Sequence, residues 1–300
     1  MKAITQETYG SADVLELRDI EDPVVGENDV LVRVHAAGAG PDVWHLMTGQ
    51  PYMARPAIGL RRPKVRVRGW DVAGTVQAVG AGVTEFRPGD DVMGVAEGGS
   101  FAEFATTRPD KLVRKPANLS FEQAAAVPIS GVTALQALRD KAHVRPGQKV
   151  LIVGAAGGVG TFAVQIAKAF GAEVTGVCST SKLDLVRSIG ADDVIDYTRE
   201  DFTDGSRSWD VIVGGDGGGR WTGGFFRGML RAPLLSLFVG QRLDWLNSKV
   251  SVEDLRALTE LIQAGKVTPV IGQSYSLSET PDAIRHLATG HAGGKLVIAV

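Results

Sequence analysis

The spacing of apolar residues changes twice along this chain, and each change marks a change of architecture. Over roughly the first 115 residues the apolar runs are short and separated by turn signals. Residues 30–35, 70–79 and 91–95 read as strands, the last two divided by Phe86-Arg-Pro-Gly-Asp-Asp91. A further strand follows the glycine turn at 98–105. Short strands at this spacing predict a compact, irregular barrel. Near Pro116 the period lengthens. Ser120 with Gln123 forms a capping box, a second helical stretch covers 133–142, and Arg145-Pro-Gly stops it. From Lys149 strands and helices alternate: strand 150–153, helix 159–170, strand 173–178, helix 182–189, then strands 193–195 and 210–213. That alternation predicts a doubly wound parallel sheet with helices on both faces. After Pro269 the pattern returns to β. Thr280 is expected to cap a helix with Pro281 at its first position, Gly290 ends it, and 295–300 forms a closing strand. A closing strand that rejoins the first domain makes the α/β segment an insertion. The expected division is 1–118 with 268–300 around 119–267.

The most informative stretch is Val150-Leu-Ile-Val-Gly-Ala155-Ala-Gly157-Gly158-Val-Gly160. It joins a strand to a helix whose apolar residues Val159, Phe162, Ala163, Ile166, Ala167 and Phe170 recur at intervals of three and four. Amides at such a helix start are free to hold a pyrophosphate, and the helix dipole helps. Against the G-x-G-x-x-G dinucleotide fingerprint, Ala155 replaces the first glycine while Gly157 and Gly160 keep the spacing. Ala155, Ala156, Gly157, Gly158, Val159 and Gly160 are therefore candidate cofactor contacts. About 20 residues further on, an NAD site carries an acid for the ribose hydroxyl. Here the chain reads Cys178-Ser179-Thr180-Ser181-Lys182, and Asp184 comes later, inside the next helix. The hydroxyl of Ser179 and the ammonium of Lys182 suit a 2′-phosphate, so NADP(H) is expected. Capping the next helix is a compatible role for the same residues.

Charge and composition narrow the rest. The net charge is −2, which speaks against nucleic acid as a partner. No apolar run approaches the ~18 residues of a membrane span, and the start lacks a signal-peptide core. The single cysteine, Cys178, excludes an intrachain disulfide and suits a reducing cytoplasm.

Five segments together resemble the medium-chain dehydrogenase/reductase superfamily, in its zinc-independent, quinone oxidoreductase-like branch. They are Gly69-Trp-Asp-Val-Ala-Gly74, Phe86–Val92, Ala124-Ala-Ala-Val-Pro128, Gly131-Val-Thr133-Ala and Val150–Gly160. The resemblance implies a GroES-like β-rich domain split around a Rossmann domain. It also implies site residues. Tyr52 matches a tyrosine lining the substrate cleft of similar reductases, able to donate a hydrogen bond or proton; an amphipathic core tyrosine is the plainer reading. Thr133 is similar to a threonine near the nicotinamide, or is a helix-cap hydroxyl. Tyr197 maps near the adenosine, or is an ordinary surface ring. Lys295 resembles a C-terminal lysine near the cofactor cleft, with a solvated surface lysine as the alternative. Many relatives place Asn before a Pro-x-Asp-like segment; this chain has Gly40-Pro41-Asp42 and keeps only backbone groups there. Zinc-dependent relatives hold their metal with a cysteine, the histidine of Gly-His-Glu, and a third cysteine or acid. The matching places here are residues 37–40, Trp70 and residues 124–126, and none is a ligand. The expected metal content is none.

One stretch departs from the family. After Val213 comes Gly214-Gly-Asp-Gly-Gly-Gly-Arg-Trp-Thr-Gly-Gly224, as though one strand–helix step had been excised and two glycine turns fused. A parallel crossover needs about a dozen residues or more, usually helical, and this run is too rich in glycine to supply that helix. The sheet is expected to be one strand short of six, with Gly214 at the nicotinamide side. The leading expectation is reduction of a quinone or α,β-unsaturated carbonyl by NADPH. A barely active NADPH-binding protein is the second. An enoyl-thioester reductase, using the basic run Arg61-Arg-Pro-Lys-Val-Arg-Val-Arg68, is the third. The apolar stretch 232–248 at the expected sheet edge points to a homodimer.

Overall fold

The computed structural model describes residues 1–96, 98–204, 206–214, 246 and 248–300. The sheet expected from the N-terminal pattern forms from β3 (Val30–Ala39), β4 (Asp71–Val79), β5 (Asp91–Val95), β6 (Phe104–Thr107) and β7 (Leu112–Arg114). β1 (Lys2–Thr5) and β2 (Glu16–Asp19) make a separate antiparallel pair. From the far end of the chain, β12 (Ile271–Ser276) and β13 (Lys295–Ala299) join this domain, giving the order β12-β13-β3-β4-β5-β7 with β6 on β3. β13 runs antiparallel to β3, with Leu296 opposite Ala39 and Ala299 opposite Ala36.

β3 extends past the expected residue 35 to Ala39. Its last residues, Ala-Ala-Gly-Ala, are weak strand formers. They are held because β13 and β4 pair with them on both sides and their side chains are buried. Helix α1 (Pro41–Thr48) follows directly, and α2 (Arg55–Ile58) is a single turn.

The α/β segment begins with α3 (Phe121–Ala125), whose capping box of Ser120 and Gln123 is present in both directions. α4 spans Pro128–Gln136 and continues as a π-turn over Ala137–Lys141. It starts five residues before the expected 133. Proline at its first turn suits the fixed φ, and the carboxylate of Asp71 accepts from the Ile129 amide at 2.8 Å, an orphan donor of that turn. Strands β8 (Lys149–Val153), β9 (Glu173–Cys178), β10 (Asp193–Asp196) and β11 (Val211–Gly214) form a parallel sheet in the order β10-β9-β8-β11. α5 (Gly158–Ala169) and α6 (Leu183–Ser188) connect its strands. Phe162, Ala163, Ile166 and Ala167 of α5 are fully buried, as their spacing requires.

Two helices complete the chain. α7 (Val252–Gln263) buries Leu255, Leu258 and Ile262. It docks on α4 where Asp254 accepts from Gln136 Nε2 at 2.7 Å and pairs with Arg139 at 2.6 Å. α8 (Thr280–Ala288) corrects one expectation: Thr280 is not its cap. The Thr280 hydroxyl donates to Leu277 at 2.7 Å, and the capping box is formed one turn earlier by Ser276 and Glu279. Gly290 ends the segment with φ of 72°. The glycine run after Gly214 and most of the stretch 232–248 lie outside the described residues. So do the expected missing strand and the expected dimer edge.

Candidate functional site: a glycine turn against a buried charge cluster

At the end of β8 the chain must reverse and open α5 within a few residues. The left-handed backbone this requires falls on Gly154, with φ of 75°. Ala155, which stands where the fingerprint has its first glycine, is fully buried and needs no such freedom. The amides of Gly154 and Ala155 both donate to the Val177 carbonyl, at 3.1 and 3.0 Å, tying the turn to β9. Gly160 is the tightest point: a Cβ there would lie 2.1 Å from the Gly154 carbonyl oxygen and 2.8 Å from Ala155 Cα. Gly157 is looser, with a Cβ meeting only the Gly154 oxygen at 3.4 Å. Gly157 is the N-cap of α5, so the amides of Gly158, Val159 and Gly160 have no acceptor within the helix. A bare helix start behind a turn closed to side chains fits a pyrophosphate.

At the end of β9, Ser179 precedes the short turn Thr180–Lys182 without a capping bond from its hydroxyl, and Lys182 donates its amide to the Ser179 carbonyl at 2.9 Å. Lys182 reaches toward the start of β13; a Cβ on Gly293 would be 2.7 Å from its Nζ. The half-exposed ring of Tyr197 stands beside this turn, its amide donating to Cys178 at 3.2 Å. Sequence reading missed an acid here, because it arrives from the next strand. Asp196, at the end of β10, accepts from the Thr180 hydroxyl at 2.5 Å and from the Thr198 hydroxyl and amide at 2.7 and 3.0 Å. The Thr180 and Thr198 hydroxyls hold its carboxyl below the usual carboxylate range. This carboxylate is committed to the protein, and it fixes the loop that carries Tyr197.

Lys295 is neither on the surface nor open to a cleft. Its ammonium lies 2.7 Å from Asp71 Oδ2, with 3% and 1% of the two side chains exposed. It also donates to the Ser130 hydroxyl at 3.2 Å. Asp42, half-buried at the head of α1, completes the group: a Cβ on Gly40 would lie 2.5 Å from its Oδ1 and 3.1 Å from Lys295 Nζ. Burial pushes Asp71 up to about 6, against the pull of Lys295, while Asp42 adds to the rise. Burial also raises Asp42, again against Lys295. For Lys295, burial works against the charge, but Asp71 and Asp42 outweigh it and hold the ammonium above its ordinary value. The cluster touches the glycine turn. A Cβ on Gly158 would sit 3.4 Å from Ser130 Oγ and 3.5 Å from Lys295 Cδ; Gly294 donates to the Ala156 carbonyl at 2.7 Å and bridges Gly157. Asp71 and Asp42 were not singled out from sequence. The signal for Asp71 was its place in Gly-Trp-Asp, where the zinc relatives' motif has its acid.

Of the residues expected at the substrate, Tyr52 is 67% exposed, with the Arg55 guanidinium 4.6 Å from its ring centroid. It is not a core tyrosine. Thr133 donates its hydroxyl to the Ile129 carbonyl at 2.7 Å, one turn back in α4, which leaves its oxygen able only to accept. Among the described residues no group of three or more His, Cys, Asp or Glu side chains could hold a metal ion. Gly214 ends β11, next to Val153 of β8.

Family models match at residues 26–117 (Alcohol dehydrogenase GroES-like domain) and at 158–213 and 189–298 (both Zinc-binding dehydrogenase). The chain is 36% identical to a 2-methylene-furan-3-one reductase of Solanum lycopersicum, covering 99% of this chain and 79% of the relative. It is 32% identical to the mitochondrial NAD(P)H oxidoreductase RTN4IP1 of Homo sapiens, covering 100% and 89%. A solved quinone oxidoreductase from Coxiella burnetii superposes with a TM-score of 0.85 at 32% identity, over 100% of this chain and 99% of that one. With the glycine turn, the GroES-like sheet and the parallel sheet in place, the chain belongs to the medium-chain dehydrogenase/reductase superfamily of oxidoreductases, in its quinone oxidoreductase-like branch.

Proposed function

We propose that this chain is an NADPH-dependent reductase of quinones or α,β-unsaturated carbonyls that works without a metal. The observation that carries the reading is the head of α5, where bare amides stand behind a turn that Gly160 closes to side chains. Residues 155–160 would hold the pyrophosphate, Ser179 and Lys182 the 2′-phosphate, and Tyr197 would lie near the adenosine. Asp196 is already bonded to Thr180 and Thr198, which takes this carboxylate out of competition for the 2′ position. Two relatives carry names of the same kind, the 2-methylene-furan-3-one reductase and an NADPH-dependent alkenal/one oxidoreductase of Arabidopsis thaliana.

When bound, the reduced nicotinamide supplies a hydride. The chain's own part is orientation, exclusion of water and supply of a proton. Hydride addition leaves negative charge on the acceptor oxygen, which a metal would stabilise by several kcal/mol. With no metal-holding group among its described residues, the site in this reading suits substrates that spread this charge by conjugation. In this reading Tyr52 Oη delivers the proton, and Thr133 Oγ1, whose hydrogen is given to Ile129, accepts a contact from the bound ligands. Steady-state assays with NADPH and NADH against a panel of quinones and enones test the proposal. Turnover with NADPH supports it; cofactor binding without turnover of any member rejects it. That second outcome is the one the glycine-rich sequence after Gly214 favours in this reading, and it would make the chain a weakly active binding protein. No helix among the described residues is long and apolar enough to cross a membrane. A cytoplasmic homodimer is our reading of the assembly, and light scattering checks it.

A further inference from the structure

The cluster at Lys295 has no role in the mechanism above, yet it is the most deeply buried ion pair among the described residues: no other has both side chains less than 5% exposed. A buried pair is a poor source of stability, because desolvation consumes most of the Coulombic gain, and apolar residues of similar volume serve as well or better. Its geometry suggests another role. Lys295 opens β13, Asp71 opens β4 and Ser130 lies in the first turn of α4, so three segments distant in sequence meet at one ammonium. Asp71 spends its other oxygen on the Ile129 amide, fixing the head of α4. The residue before Lys295, Gly294, pairs with Gly157 and donates to Ala156, so the strand carrying the ammonium is stitched to the glycine turn.

We propose that Lys295 is a positioning residue: through Ser130 and Asp71 it holds the glycine turn in register with the GroES-like domain, and so aligns the nicotinamide half of a bound dinucleotide. It does not contact the cofactor. Its ammonium is sealed and directed at Asp71 and Ser130, and only its stem lies against Gly158. The inference rests on the dinucleotide reading of the turn. The charged groups facing Lys295 are Asp71 from β4 and Asp42 from α1.

The test uses the full chain and two ligands, NADPH and adenosine 2′-phosphate, which occupies only the adenosine end. Lys295→Met alone strands the Asp71 carboxylate and is expected to lower the melting temperature. The double variant Lys295→Met/Asp71→Asn removes both charges, keeps an oxygen for the Ile129 amide, and is expected to melt no lower than wild type. In the double variant NADPH binding, read by fluorescence titration, is expected to weaken about tenfold, the scale of coupling between linked sites. Adenosine 2′-phosphate binding is expected to stay as in wild type. Undiminished NADPH affinity in the double variant overturns the inference. So does equal loss of both ligands, which marks a merely structural role. A wild-type chain that binds neither NADPH nor NADH overturns the dinucleotide reading itself, a result distinguishable from either.

Discussion

Arg68 is a buried cation without an obvious reason to be there. Its side chain is 4% exposed and makes no hydrogen bond or ion pair among the described residues, and its Nε is sealed from solvent with no acceptor. Two other orphaned polar atoms, Gln6 Oε1 and Ser100 Oγ, lie on segments hydrogen-bonded to the Arg66–Arg68 stretch. Burial lowers the Arg68 guanidinium from its ordinary value to about 10, with nearby Tyr9 opposing the shift. At about 1.4 kcal/mol per pK unit, the fall corresponds to a cost of about 3 kcal/mol for holding the charge in the folded state. Between about 10 and the ordinary guanidinium value the unfolded chain binds the extra proton, so this cost eases only as pH rises through that window. Below it, the cost is constant. Arg68→Met keeps the length of the stem and removes the charge. The expected outcome is a gain of about 1–3 kcal/mol, within the range seen when buried charges give way to apolar residues. It should appear as a higher urea midpoint with an unchanged slope. The gain should be the same at pH 6 and pH 9, because Arg68 does not titrate between them. A variant less stable than wild type would refute the reasoning. So would a gain that varies across that pH range, since another group would then be setting it.

Three further outcomes follow from distances at the site. Gly160→Ala drives a methyl into the Gly154 carbonyl and should abolish dinucleotide binding, whereas Gly157→Ala meets only a 3.4 Å contact and should bind within a few-fold of wild type; titrating both variants with NADPH checks the contrast. Asp254→Ala takes one acceptor from each of Gln136 and Arg139, which keep Lys249 and Asp140, and removes the carboxylate that accepts from Ser251 at the cap of α7, so it should lower stability by about 1–2 kcal/mol in a denaturation curve. Thr180→Val removes the leading hydrogen bond to Asp196. Because that bond lowers the Asp196 carboxyl from 3.8, its contribution is present above the ordinary carboxylate range and disappears as pH falls through the lowered value. The deficit of the valine variant should be full at neutral pH and shrink in acid; a deficit that grows on acidification would contradict the assignment.

Much of this molecule can be read along its chain. The bounds of β5 and β9, the Ser120–Gln123 box and the turn from β8 into α5 are local matters, set by side chains within a few residues of one another. Periodicity and capping act over that range, so one strand of text is enough to see them. Even α7, passed over in the sequence reading, carried its signal in Ser251 and the spacing of Leu255, Leu258 and Ile262. What sequence could not place were contacts between distant segments. Lys295 and Ser130 are 165 positions apart, and nothing local tells a buried lysine from a solvated one. The extra length of β3, the early start of α4 and the acid that reaches the end of β9 have the same origin. Each depends on a partner from another strand: β13 beside Ala36–Ala39, Asp71 at Ile129, Asp196 at Thr180. Desolvation and hydrogen bonding are set by three-dimensional neighbours, so the ionic character of this site was decided only when β13 folded back beside β3.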